Sequence, residues 1–162
     1  MKIFVLSLFL IFFKLVNSAE LKIESFGKDQ YDIYEVSDSR KFFGWSSDGV
    51  WLTNIGINGS VTGKGILEII NGISSSNIMT KWTEVKGDYF YAQFFVKRGS
   101  VNKDATVQTF EIVSGTGRWK ELVGQKCIGA YTPLVDSKFM WQGKCEMSDK
   151  TLERIKNYIK PE

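Results

Sequence analysis

The chain has 162 residues, with 21 Lys and Arg, 18 Asp and Glu, 15 glycines, two cysteines, two prolines and no histidine. That length supports one domain, or at most two very small ones. The missing histidine excludes a Ser-His-Asp or Cys-His triad, a histidine metal ligand and an imidazole base. Two cysteines alone cannot complete a four-ligand zinc site, so the sequence calls for no metal and no cofactor.

The chain opens on basic Met1-Lys2, then an apolar run from Ile3 to Phe13 broken only by Ser7, then Lys14 and Val16-Asn17-Ser18 before Ala19. This is the pattern of a secretory signal peptide over 1–18, cut before Ala19. An apolar core of about ten residues is too short for a bilayer, which takes about twenty. The expectation is a secreted or periplasmic protein with no stable membrane insertion after cleavage; an uncleaved N-terminal anchor is the alternative. Loss of 1–18 takes Lys2 and Lys14 with it, leaving 19 basic against 18 acidic residues, a net +1. No block of Lys and Arg follows, so nucleic acid is not an expected partner.

Export gives the cysteines a reading. In an oxidising compartment Cys127 and Cys145 can form one disulfide and no other; two buried free thiols are the alternative.

Along the remainder, period-two alternation dominates. It runs through Gln30–Val36, Gly49–Ile55, Val61–Ile70, Ile78–Glu84, Tyr89–Val96, Thr106–Val113, Ile128–Thr132 and Lys138–Met147. Turn residues punctuate it at Ile57–Ser60, Asn71-Gly72, Lys86-Gly87-Asp88, Arg98-Gly99-Ser100 and Pro133–Ser137. No interval is long enough for a crossover helix, so the strands pair as consecutive antiparallel hairpins. About eight such strands make a sandwich or a closed barrel. Closure removes exposed edges, which favours an all-β, single antiparallel eight-stranded up-and-down barrel over 19–147. In the last hairpin, cross-strand partners keep a constant index sum; Cys127 and Cys145 centre on Asp136, inside the turn, and so face each other. Helix appears only at 148–162, where Ser148 or Asp149 can cap, Leu152, Ile155 and Ile159 share a face, and Lys160-Pro161 ends it. Asn58-Gly59-Ser60 reads as a turn, or as a glycosylation sequon in a eukaryotic host.

The most distinctive stretch is Gly115-Thr116-Gly117-Arg118-Trp119, followed by Lys120–Val123 and Gly124. It lacks the register, the Gly-Lys-Ser/Thr and the following helix of a phosphate loop, and reads as a tight corner between strands. The corner, its link to Gly124, and the closing strand ending Trp141-Gln142-Gly143-Lys144-Cys145-Glu146-Met147 resemble the GGTGKF-x-G-x-x-G corner of allene oxide cyclase-like and dirigent-like β-barrel proteins. Thr62-Gly63-Lys64-Gly65 and Lys86-Gly87-Asp88-Tyr89 sit where bacterial members carry glycine turns. The resemblance spans about residues 60–147, with Ser114 in place of the first glycine. It implies an eight-stranded barrel with an apolar lumen, often a homo-oligomer and specifically a trimer. Members include cyclases that hold an unstable fatty-acid epoxide and proteins that steer radical coupling. No site residue is carried over from it.

On a barrel wall each side chain faces solvent or lumen. Glu68, between Ile66 and Ile70 on its own face, is the first candidate for a lumen carboxylate acting catalytically, and Glu111 the second. Trp82, Tyr89, Tyr91 and Trp141 are candidate ligand-binding residues, with simple barrel filling as the other possibility. Three functions remain open: an exported barrel binding a small apolar or amphipathic molecule in its lumen, a cofactor-free cyclase or isomerase, and an envelope-associated structural protein with a packed barrel.

Overall fold

The computed structural model describes residues 18–96 and 106–161. The expected signal peptide, apart from Ser18, and the expected turn at Arg98-Gly99-Ser100 lie outside them.

Eight antiparallel strands close into an up-and-down barrel in sequence order, as the alternation predicts. They are β1 (Ser18–Ser37), β2 (Arg40–Thr53), β3 (Asn58–Ile70), β4 (Ile73–Glu84), β5 (Tyr89–Val96), β6 (Thr106–Gly115), β7 (Lys126–Pro133) and β8 (Lys138–Ser148). β8 returns to β1, pairing Ser148 with Ser18 at one end and Lys138 with Lys28 at the other. A short 3-10 turn, Gly117–Leu122, joins β6 towards β7, and helix α1 (Asp149–Lys156) follows β8.

Strand register decides which residues are enclosed. Odd positions face inward on β1, where Leu21, Ile23, Ser25 and Asp29 are buried, and on β2, β3, β7 and β8. Pairing of Ile70 with Ile73 around the Asn71-Gly72 turn moves the inward set to even positions on β4, β5 and β6. Both turn residues have positive φ, at 50° and 78°, the conformation of a two-residue hairpin that matches strand twist. The β2–β3 turn falls on Asn54–Ile57, three residues earlier than expected, and Asn58–Ser60 belong to β3.

The last hairpin keeps the predicted register. Ile128 pairs with Lys144, which sets Cys127 against Cys145, and the two form the disulfide with Cα atoms 4.6 Å apart.

One half of the interior is packed solid. Trp51, Trp82, Phe90 and Trp119 are at most 3% exposed, and Phe90 lies 4.8 Å from Trp119 and 5.6 Å from Trp82 between ring centroids. Aromatic groups supply much area per residue and stack in offset or edge geometries. Beneath them the glycine-rich corner locks the base. Thr116 Oγ1 accepts from Tyr89 N at 3.0 Å and donates to Asp88 Oδ1 at 3.2 Å. Arg118, buried, lies 3.4 Å from Glu84 and donates to the Ile155 carbonyl at 3.0 Å. That bond and buried Ile155 fasten α1 across the base. Ser148 caps the helix by accepting from Thr151 N. The helix ends at Lys156, so Ile159 is left exposed instead of joining Leu152 and Ile155. No helix among the described residues is long and apolar enough to cross a membrane.

Candidate lumen site

The other half of the barrel is hollow. β1 to β4 run 12 to 20 residues and stand taller than β5 and β7 at 8 residues each. Their far ends surround a cavity of about 430 Å³, within the range of small-molecule sites. Trp45, Trp82, Phe94, Phe139, Trp141 and Leu67 give it apolar walls. Two of its indoles have their N–H groups engaged: Trp82 donates to Thr80 Oγ1 at 2.6 Å and Trp141 to Gln108 Oε1 at 3.3 Å.

The ionisable part of the site lies on β1 and β7. Asp29 is 4% exposed. Its main-chain N–H donates to the Ser137 carbonyl at 2.8 Å, tying β1 to the β7–β8 turn. The hydroxyls of Tyr31 (3.2 Å) and Tyr131 both donate to Asp29 Oδ2. Both tyrosines line the cavity, as does Ser25. Burial pushes the Asp29 carboxyl above the ordinary aspartate value, against the lowering effect of hydrogen bonds from Tyr131, Trp45 and Tyr31. Burial likewise raises the Tyr31 and Tyr131 phenols, with the neighbouring Asp29 charge acting in the same direction, so both stay protonated. Asp29 Oδ1, Ser25 Oγ and Ser76 Oγ find no protein partner. All three belong to residues in or directly behind the cavity wall; other such atoms among the described residues, on Glu84, Asp88, Arg118 and Trp119, lie at the packed end.

The sequence-derived candidates divide. Trp82 and Trp141 line the cavity. Tyr89 and Tyr91 are at outward positions on β5, and their rings lie 4.6 and 6.0 Å from Lys81 Nζ. The expected lumen placement of Glu68 is corrected: register pairs it with Phe42 on the outer face, where Arg40 binds its carboxylate at 2.8 Å. Its neighbours Ile66 and Ile70 are 60% and 42% exposed, while Leu67 and Ile69 turn inward. Glu111 also falls at an outward position, between buried Phe110 and Ile112. Neither glutamate reaches the lumen. Asp29, Tyr31 and Tyr131 escape the sequence reading, although Asp29 shares its parity with Leu21, Ile23, Ser25 and Ile33. Among the described residues no cluster of three or more acidic or thiol side chains is placed to hold a metal.

The fold and cavity define an aromatic-lined barrel with one closed and one open end. No family model and no characterised protein sequence matches the chain. A solved structure of an enzyme from Penicillium herquei shares the fold: TM-score 0.52 at 13% identity, covering 79% of this chain and 93% of that one.

Proposed function

We propose that the protein is an exported barrel that binds a small apolar or amphipathic molecule in its open half. The observation that carries this reading is the 430 Å³ cavity with aromatic walls. A barrel built only for structure gains by filling such a space, because a void forfeits the contacts of everything lining it. The disulfide supports export, since such bonds persist in oxidising compartments. The allene oxide cyclase-like or dirigent-like affinity is part of this proposal, supported by the barrel topology and by the structural role of the glycine-rich corner.

The test is gentle mass spectrometry of the protein purified from its native compartment. A co-purifying small apolar mass is the expected result. A clean apo mass that persists after incubation with cell lipid extract overturns the reading.

The Asp29 cluster favours a second reading, a cofactor-free cyclase or isomerase. The phenols, whose protons go to Asp29, present lone pairs that can orient a donor group of the substrate, while the walls fold the rest of it. If this holds, Tyr131→Phe abolishes turnover of the co-purifying molecule while leaving it bound.

A further inference from the structure

We propose that the lumen chooses its guest by headgroup: it takes an apolar molecule that presents a hydrogen-bond donor, an amine or a hydroxyl, to Tyr31 and Tyr131, and disfavours one ending in a carboxylate. This rests on the lumen-binding reading above and adds the chemistry of the guest.

Both phenols line the cavity, and both commit their protons to a single atom, Oδ2 of Asp29. A hydroxyl whose proton is committed has only lone pairs left to offer, and donation to a carboxylate makes those lone pairs better acceptors. The two residues come from strands that do not pair, 100 positions apart in sequence, and Asp29 holds them together. Facing the guest, they form a paired acceptor.

What the rest of the wall offers an anion is neutral, the hydroxyls of Ser25, Ser47, Ser75 and Ser76 and the Gln108 amide. Trp82 and Trp141 have given their N–H groups to Thr80 and Gln108. No Lys or Arg occurs among the described residues that line the cavity. A carboxylate seated there would face the Asp29 charge near the open mouth, where Tyr31 is 45% exposed and water moderates the repulsion without removing it. An ammonium in the same place gains that charge. A neutral hydroxyl gains only the acceptor pair and should rank between them.

Asp29 acts through the tyrosines and is a positioning residue; Tyr31 and Tyr131 are the groups that meet the guest. The experiment uses three probes with one hydrocarbon chain: decylamine, decanol and decanoate. Each is titrated into the protein below its micelle concentration, with the lumen tryptophans as fluorescent reporters. Decylamine should bind at least about tenfold more tightly than decanoate, with decanol between them. Asp29→Asn should bring the amine-to-carboxylate ratio close to one, and Tyr131→Phe should reduce it several-fold while Asp29 stays in place. Leu122→Ala, which loosens the packed end without touching the phenols, should lower the melting temperature and leave the ratio as it was.

Equal binding of the three probes, or tighter binding of decanoate, overturns the headgroup inference and leaves the lumen reading standing. A ratio unmoved in both the Asp29 and Tyr131 variants also overturns it. Failure of all three probes to bind overturns the lumen reading itself. Should Asp29→Asn not fold, Tyr131→Phe decides alone.

Discussion

The indole of Trp141 occupies the space that a β-carbon on Gly129 would fill: such a carbon would lie 2.5 Å from the ring. Gly143, paired with Gly129 across the β7–β8 ladder, makes room for the same ring; a β-carbon on it would lie 2.2 Å away. The two glycines fix where the indole stands, and the indole forms part of the cavity wall. Gly129→Ala therefore has to displace Trp141, and a close-packed interior resists such displacement. The expected cost is about 1–3 kcal/mol, as for overpacking elsewhere. The lumen should change with it, giving weaker uptake of an apolar probe together with a shifted tryptophan emission. Chemical unfolding and probe titration on one sample check both, and a variant that loses stability but binds normally would separate the indole's position from the shape of the cavity.

The Cys127–Cys145 bridge closes 18 residues across the β7–β8 hairpin. In the chain-entropy account a loop of this size contributes about 3 kcal/mol. Both sulfurs are enclosed, with Cys127 4% and Cys145 0% exposed, so the double serine variant also places two hydroxyls where no water reaches. Cys127→Ala/Cys145→Ala is the cleaner probe. Urea unfolding should show it about 3 kcal/mol less stable than the oxidised wild type, and wild type held in reductant should fall by a similar amount.

Asp29 links the site to pH. Its carboxyl is held above 3.8 by burial, so over the window above that value the folded chain retains a proton that the unfolded chain has lost. Stability from this group is full below the unfolded pKa and declines as pH rises through the folded one. Glu84 has the same sign, raised by burial against the opposing charge of Arg118. Asp29→Asn removes the titrating group and keeps a side chain that can accept from Tyr131. It should match wild type in acid and melt at a higher temperature at neutral pH. Melting curves of both proteins across that interval check it, and a gap that closes with rising pH would contradict the sign.

Alternation carries most of this architecture, because a strand's two faces meet different solvents and the residue pattern records it. It yields eight strands in order, the Asn71-Gly72 hairpin and the facing cysteines, but not residues 18–29 of β1, 40–48 of β2 or the turn between these strands. What it leaves open is which parity is inside. Around Glu68 both faces are apolar, Ile66 and Ile70 on one and Leu67 and Ile69 on the other, so local sequence is nearly symmetric. The decision comes from the partner strand, where Arg40 stands outside and Phe43 and Trp45 inside. Tyr89 and Tyr91 pose the same problem against Phe90, Ala92 and Phe94, all three buried. Asp29 is hidden for another reason. Phe26, Gly27, Lys28 and Gln30 blur the period just where it sits, and Tyr131, which gives the carboxylate its meaning, lies at a distance no local pattern spans.

The corner at Gly117 offers a comparison between two glycines. Gly117 has φ 52°, and a β-carbon on it would lie 2.4 Å from the Asp88 carboxylate. Gly56 also has positive φ, at 80°, but a β-carbon there meets nothing within 4 Å. Alanine at Gly56 should cost only the backbone preference, about 1 kcal/mol. At Gly117 it must also drive Asp88 away from Thr116 and from Lys160, which lies 3.7 Å from the carboxylate. That change loosens the clasp holding the chain's end against the base, and a buried carboxylate without its partners adds its own desolvation. Gly117→Ala should therefore lose about 2–3 kcal/mol, two to three times the Gly56→Ala loss. Hydrogen exchange should rise in α1, which is fastened through the adjacent Arg118. Equal losses in the two variants would mean that the glycine is needed for its backbone angle alone, and that the Asp88–Thr116 contact adds little to the closed end of the barrel.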